Sequence, residues 1–141
     1  GPVYQIAKSA TDASYPEKIS YDKEDILVVI EGLSMYLKEA DILQMFSVIE
    51  KNFPKATVFI ETMSPFFVKH IKEKSIEGSQ AKFVWGIKNG KALQELIPAF
   101  TYKKEVSLVE GMKKMMPIYH VLGKIPAVRN ISNKIIVMEK N

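Results

Sequence analysis

The 141-residue chain contains no cysteine, one arginine (Arg129), one tryptophan (Trp85) and two histidines (His70 and His120). Without cysteine there is no disulfide scaffold, no thiolate metal site and no cysteine nucleophile, and the composition suits a reducing cytoplasm. A lone arginine is a poor inventory for bidentate recognition of phosphates. The net charge of +4 comes from both signs interspersed, as in Lys69-His70-Ile71-Lys72-Glu73-Lys74, so it reads as a solvated surface and no nucleic-acid partner is expected. No apolar run reaches the length of a membrane span, no secretory pattern opens the chain, and no membrane partner is expected. The two histidines fall in different segments, without carboxylates at ligand spacing, so no metal site is expected. Glycine-rich signatures are missing too: there is no G-x-G-x-x-G, no G-x-x-x-x-G-K-[ST] and no G-x-S-x-G elbow.

What is present is a hydrophobic fraction of 47% with 26% charged residues, enough for one globular domain with a core. Val3–Ala7 reads as a short strand, broken by Ser9-Ala10-Thr11-Asp12, and Tyr15-Pro16 opens a short helical or irregular stretch. Asp25–Ile30 is a strand whose apolar residues run continuously, which predicts burial on both faces, as in a parallel sheet. Residues 38–52 form a helix, with Ile42, Met45, Phe46, Ile49 and Phe53 at helical spacing and Asn52 and Pro54 as the stop. Residues 55–62 (KATVFIET) are a strand and 65–74 a helix. Strand, helix, strand, helix with short joins predicts parallel pairing. Beyond Gly78 the pattern loosens. Residues 81–87 are a strand or extended loop, 91–97 a short helix, 100–108 a strand, 111–122 a helix interrupted at Pro117, and 134–139 a terminal strand. Two late strands without a clear crossover predict an antiparallel ending. The expected fold class is α/β, mostly parallel with an antiparallel final strand.

Ligands of open parallel sheets bind beyond the carboxyl ends of the strands, which places Glu31 and Gly32 at the mouth of a site. Glu31 could accept hydrogen bonds from an ammonium or a ribose hydroxyl while Gly32 leaves room for a ligand. Alternatively, Glu31 caps the following turn and Gly32 only supplies an unusual backbone angle. Ser9 and Asp12 could present polar atoms to a purine ring, or form an ordinary Asx or Ser/Thr turn. Thr62, Met63 and Ser64 would line the same rim, or simply join a strand to a helix. Trp85 is a pocket wall or a buried aromatic, and the Met112–His120 segment is core or the wall of a substrate pocket.

The stretch VVIEGLSMYL, followed by a helix and FPKATVFIETMS, resembles the leucine carboxyl methyltransferase family, which includes polyketide-type O-methyltransferases that use S-adenosylmethionine. Glu31, Gly32, Tyr36 and Leu37 match its E-G-x-x-x-Y-L element, at the end of the fourth strand of a class I methyltransferase sheet. Phe53-Pro54 and the strand after them match the continuation. IAKSATDASYPEKI looks like the family's third strand and adenine-side turn, and KFVWGIKNGKALQEL like its W-G segment. The resemblance implies methyl transfer to a hydroxyl or carboxylate of a small molecule. It puts Glu31 and Gly32 beside the methionine or ribose part of the cofactor, and Ser9 and Ala10 against the adenine. Serine stands where many relatives have aspartate, which leaves the Ala10 N–H as the firmer contact, and Tyr15 stands where a tryptophan is frequent. Tyr36 is implied either at the methyl-transfer centre or as a holder of the loop. A neutral, excellent leaving group asks mainly for alignment and desolvation, so the lack of a catalytic dyad is no obstacle.

The family's first two strands and glycine-rich loop have no counterpart here, so residues 1–141 are expected to be a single partial domain, the carboxyl-terminal half of such an enzyme. That half alone is expected to be inactive and to bind S-adenosylmethionine weakly at most. An open sheet edge at the 25–30 strand should then favour a homodimer paired through it. The competing expectation is a Rossmann-like half-domain that serves as a non-catalytic dimerisation or binding module.

Overall fold

The computed structural model describes residues 3–20, 22–74, 82–108 and 133–141. Four strands form one sheet in the order β1-β2-β4-β3, with β1 Ile26–Ile30, β2 Ala56–Thr62, β3 Phe100–Ser107 and β4 Lys134–Lys140. β1 and β2 are parallel, whereas β4 runs antiparallel to both β2 and β3. Three strands therefore point one way and the last runs against them, in a mixed α/β sheet with an antiparallel ending. The carboxyl ends of β1, β2 and β3 come to one edge of the sheet together with the start of β4: Lys134 pairs with both Thr62 and Ser107.

The helices α1 Glu39–Asn52, α2 Pro65–Lys74 and α3 Gly90–Leu96 follow the expected segments within one or two residues. α1 places Glu39 and Asp41 in its first turn and Lys51 in its last, each sign where the helix dipole favours it. Its buried stripe, Ile42, Met45, Phe46, Val48 and Ile49, follows the helical period. Most of that stripe packs on Ile30, Val58, Ile60, Ile136 and Met138 of the sheet, with Phe53, Trp85, Leu93 and Phe100 completing the core. Phe46 and Phe100 meet edge to face at 5.1 Å. Each such fully buried side chain contributes about 1.5–3 kcal/mol relative to an exposed one. At the end of α1 the Lys140 ammonium donates to the Phe53 carbonyl (3.1 Å), so the last strand holds the chain where it leaves the helix.

Two expectations are overturned. The run Ile26–Ile30 is not buried on both faces: Ile26, Val28 and Ile30 turn toward the core, while Leu27 and Val29 are 61% and 63% exposed. A continuous apolar run cannot by itself distinguish two covered faces from one, and here no described element packs on the second. Val3–Ala7 is not a strand either; these residues are extended, exposed and outside the sheet. β-branched and aromatic residues adopt a strand only where a neighbouring strand supplies hydrogen bonds. Of the predicted 81–87 segment, the described residues 82–87 are loop and not strand, and the predicted 111–122 helix lies outside the described residues. β1 lies at the sheet's edge, with no strand on its far side among the described residues.

Candidate functional site

Ile30 pairs with Ile60, so Glu31 and Glu61 follow as neighbours at the edge where the carboxyl ends of β1 and β2 meet. The two carboxylates then take different roles. Glu31 is exposed, and its carboxylate forms no hydrogen bond or ion pair with any described residue. It does not cap the turn. Glu61 does the holding: Oε1 accepts the Gly32 N–H (3.1 Å) and Oε2 accepts the Asn133 side-chain amide (3.0 Å). Its main-chain carbonyl accepts the hydroxyl of the fully buried Ser34 (2.6 Å). Gly32 has φ +63°, and a Cβ there would meet nothing within 4 Å. The left-handed backbone favours glycine at this position, and the space beside it is open, so the backbone angle and room for a ligand both remain compatible with Gly32.

Glu31 and Ala10 line one groove. Ala10, Tyr15, Val28–Glu31, Leu33, Met45 and Ile49 enclose about 220 Å³ between the amino-terminal turn, the end of β1 and α1. The groove is apolar with one carboxylate at its mouth. Burial pushes the Tyr15 phenol above its ordinary pKa, so the ring enters the wall neutral. The turn that brings Ala10 and Tyr15 here is built by short polar side chains. The Asp12 carboxylate accepts the Ser14 hydroxyl (2.6 Å) and the Ser14 N–H (2.8 Å), and these bonds hold its pKa below the ordinary value. Ser9 Oγ meets Thr11 Oγ1 (2.9 Å) and accepts the Thr11 N–H (3.2 Å), and the Gln44 side chain ties the Thr11 carbonyl to α1. The Ser9 hydroxyl is thus spent on a Ser/Thr turn and lies outside the groove lining. The Ala10 N–H takes no part in the turn's hydrogen bonds.

Tyr36 stands on the other side of the turn, 43% exposed, with its ring 5.0 Å from that of Phe83. It is not among the residues that line the groove with Ala10 and Glu31. Its neighbour Met35 accepts the N–H groups of Val84 (2.8 Å) and Trp85 (3.3 Å) at its carbonyl, and Met63 accepts Ile87 N–H (2.9 Å). The extended 83–87 segment is thereby stitched to the exits of both parallel strands, and Met35, Met63, Val68 and Phe83 form a second apolar cluster below it. Thr62, Met63 and Ser64 are all buried. Trp85 belongs to the main core. A larger hollow of about 610 Å³ between residues 4–8 and 18–20 contains none of the candidate site residues Ser9, Ala10, Glu31, Gly32 and Tyr36.

Glu61 is the residue that sequence reasoning missed. A signal for it exists: it is the one acidic residue of the strand, on the less buried side of a regular alternation, between the buried Ile60 and Thr62 and one step past the residue that pairs with Ile30. Its long-range partners at positions 32 and 133 leave no local trace.

No protein-family model matches the chain. Among curated proteins the chain is similar to the tetracenomycin polyketide synthesis O-methyltransferase TcmP of Streptomyces glaucescens, with 29% identity over 86 residues. The match covers 60% of this chain and 32% of that enzyme, so the chain spans about a third of the length of the curated relative it matches. No helix among the described residues is long and apolar enough to cross a membrane.

Proposed function

We propose that this chain supplies the carboxyl-terminal part of an S-adenosylmethionine-dependent O-methyltransferase that acts on a hydroxyl or carboxylate of a small molecule. The observation that carries the reading is the shared groove: the turn expected on the adenine side and the strand end expected on the ribose side meet there, as Ala10 and Glu31. The likeness to an O-methyltransferase over 86 residues supports the same chemistry. The lining fits the group. Ala10, Val28 and Leu33 offer an apolar bed for a planar base, with the neutral Tyr15 ring beside it. The unengaged Glu31 carboxylate can accept hydrogen bonds from ribose hydroxyls or from an ammonium. S-adenosylmethionine bound there would supply an electrophilic methyl group. The chain's own residues orient and desolvate, because this chemistry requires alignment more than a strong base. Tyr36, partly open beside Phe83, is the candidate for contact with the acceptor.

The groove's 220 Å³ is smaller than the roughly 300–1,000 Å³ of pockets that enclose whole organic ligands. This chain therefore grips part of the cofactor and binds it weakly alone. Titrating ¹⁵N-labelled protein with S-adenosylhomocysteine tests the reading. Amide shifts confined to Ala10, Tyr15 and residues 31–33, saturating only at millimolar ligand, are expected. Undisturbed amides at those positions overturn the site, and a micromolar dissociation constant by calorimetry overturns the claim that the grip is partial.

A second reading is favoured by β1, which has no strand on its outer edge among the described residues and exposes Leu27 and Val29. Two copies joined edge to edge there would make a homodimer, and a chain that only dimerises would show that association without any shift at Ala10 or Glu31.

A further inference from the structure

Gly32 adopts a left-handed backbone that no surrounding wall imposes, since nothing lies within 4 Å of the position a Cβ would take. The turn that carries Glu31 is held by the burial of Ser34 and Met35 at its far end and, at Gly32 itself, by a hydrogen bond. Both of Glu61's carboxylate oxygens are committed to that task, one to the Gly32 N–H and one to the Asn133 amide. Its carbonyl takes the Ser34 hydroxyl from the far end of the same turn. Asn133 is itself fixed, because its carbonyl accepts the Leu108 N–H (2.8 Å) directly before β4 begins. One side chain thus joins the exits of β1 and β2 to the entrance of β4.

We infer that Glu61 is the positioning residue of this site, holding the Gly32 turn so that the neighbouring Glu31 carboxylate stays at the mouth of the groove. The chemistry suits the role. A carboxylate accepts from two N–H donors at once without needing a proton, and such charge-assisted bonds exceed neutral ones in strength. Glu61 near the end of β2 spends one bond of each carboxylate oxygen on the turn and on Asn133, whereas Glu31, just past the end of β1, makes no bond to a described residue and can take a ligand. The importance of this clamp for a cofactor rests on the function proposed above; the clamp itself does not.

Amide exchange and ¹⁵N spectra of Glu61→Ala and Glu61→Gln in the intact chain test it. In the alanine variant the Gly32 amide should exchange about tenfold faster, the resonances of residues 31–34 and the Asn133 side-chain amide should move, and Val58 and Ile136 should stay protected. Glutamine should restore the Gly32 exchange rate and the resonances of residues 31–34, since its carbonyl can still accept from Gly32 while its amide donates to a turned Asn133 Oδ1; the Asn133 side-chain amide itself should stay shifted. Unchanged Gly32 exchange in the alanine variant overturns the inference. If that variant does not fold, Asn133→Asp decides instead: opposing two carboxylates should loosen Gly32, and adding Glu61→Gln should tighten it again. No response of Gly32 to either change also overturns the clamp. S-adenosylhomocysteine separates the two claims. Its effect at Glu31 should vanish in Glu61→Ala and return in Glu61→Gln, with Ala10 still responding. A wild-type chain that shows no ligand shifts removes the cofactor reading and leaves the exchange result to decide Glu61.

Discussion

The Cα of Gly86 lies against the carbonyl of Met63 so closely that a Cβ on Gly86 would sit 2.8 Å from that oxygen, with the Ser64 carbon and the Pro65 nitrogen at 2.9 Å. All three neighbours are main chain, and the Met63 carbonyl also receives the Ile87 N–H, so none can rotate away. Gly86→Ala should therefore cost about 1–3 kcal/mol by overpacking, read as a lower urea midpoint with an unchanged slope. A variant as stable as wild type would mean that the 83–87 segment is not stitched to the end of β2.

Gly32 makes the opposite case. Its surroundings are open but its φ is +63°. Gly32→Ala should lose about 1–2 kcal/mol from left-handed strain alone, and Gly32→Asn should lose less because asparagine tolerates that region. Equal losses for alanine and asparagine, read as urea midpoints, would mean that the left-handed angle is not what glycine supplies here.

These two glycines show where the sequence is legible. Helix α1 can be read directly, since Ile42, Met45, Phe46 and Ile49 repeat at the spacing of one helical face and the stop residues follow. The parallel pairing of β1 and β2 follows from the helix between them. The single-faced burial of β1 does not, because Ile26–Ile30 is apolar at every position and only the tertiary neighbours separate Val28 from Val29. Val3–Ala7 fails for a related reason: local propensity is satisfied, but a strand is a pairwise object and no described strand accepts it. At the candidate site, the E-G pair falls directly after β1, at the strand end where the sequence puts it. The residue that shapes it, Glu61, acts through partners 29 and 72 positions away.

Beyond the groove, Glu105 should contribute to acid stability. Burial alone would raise the Glu105 pKa. The Gly90 N–H, the Lys134 ammonium at 2.9 Å and the Tyr102 hydroxyl together outweigh burial and bring it below the ordinary glutamate value. A carboxyl with a depressed folded-state pKa contributes stability that is complete above its unfolded value, about 4.3, and that fades as pH falls through the lower folded value. The urea midpoint of wild type should drop between pH 5 and pH 3 by more than that of Glu105→Gln. Identical pH slopes for the two proteins would remove the Glu105–Lys134 pair from the account. Tyr102 has the converse sign: burial first, then the bond to Glu105 and its charge, raise the phenol pKa. Its contribution is present below the unfolded tyrosine value and is lost as pH rises through the folded one.

The edge of β1 permits a test that separates association from folding. Ile26 donates its N–H to the Lys55 carbonyl, and in a parallel ladder alternate residues turn both N–H and C=O to the same side. Ile26, Val28 and Ile30 therefore bond toward β2, while Leu27 and Val29 present their main-chain groups to the open edge. Proline is tolerated where its missing N–H faces away from the ladder. Val29→Pro should change folding stability by about 1 kcal/mol or less, yet abolish any dimer formed through this edge. Val28→Pro removes a bond to β2 and should destabilise the sheet much more. Sedimentation velocity at several concentrations, with urea unfolding of both variants, checks the pair: wild type should sediment as a dimer and Val29→Pro as a monomer. A wild-type chain that stays monomeric, or a Val29→Pro chain that still dimerises, rules out the β1 edge as the interface.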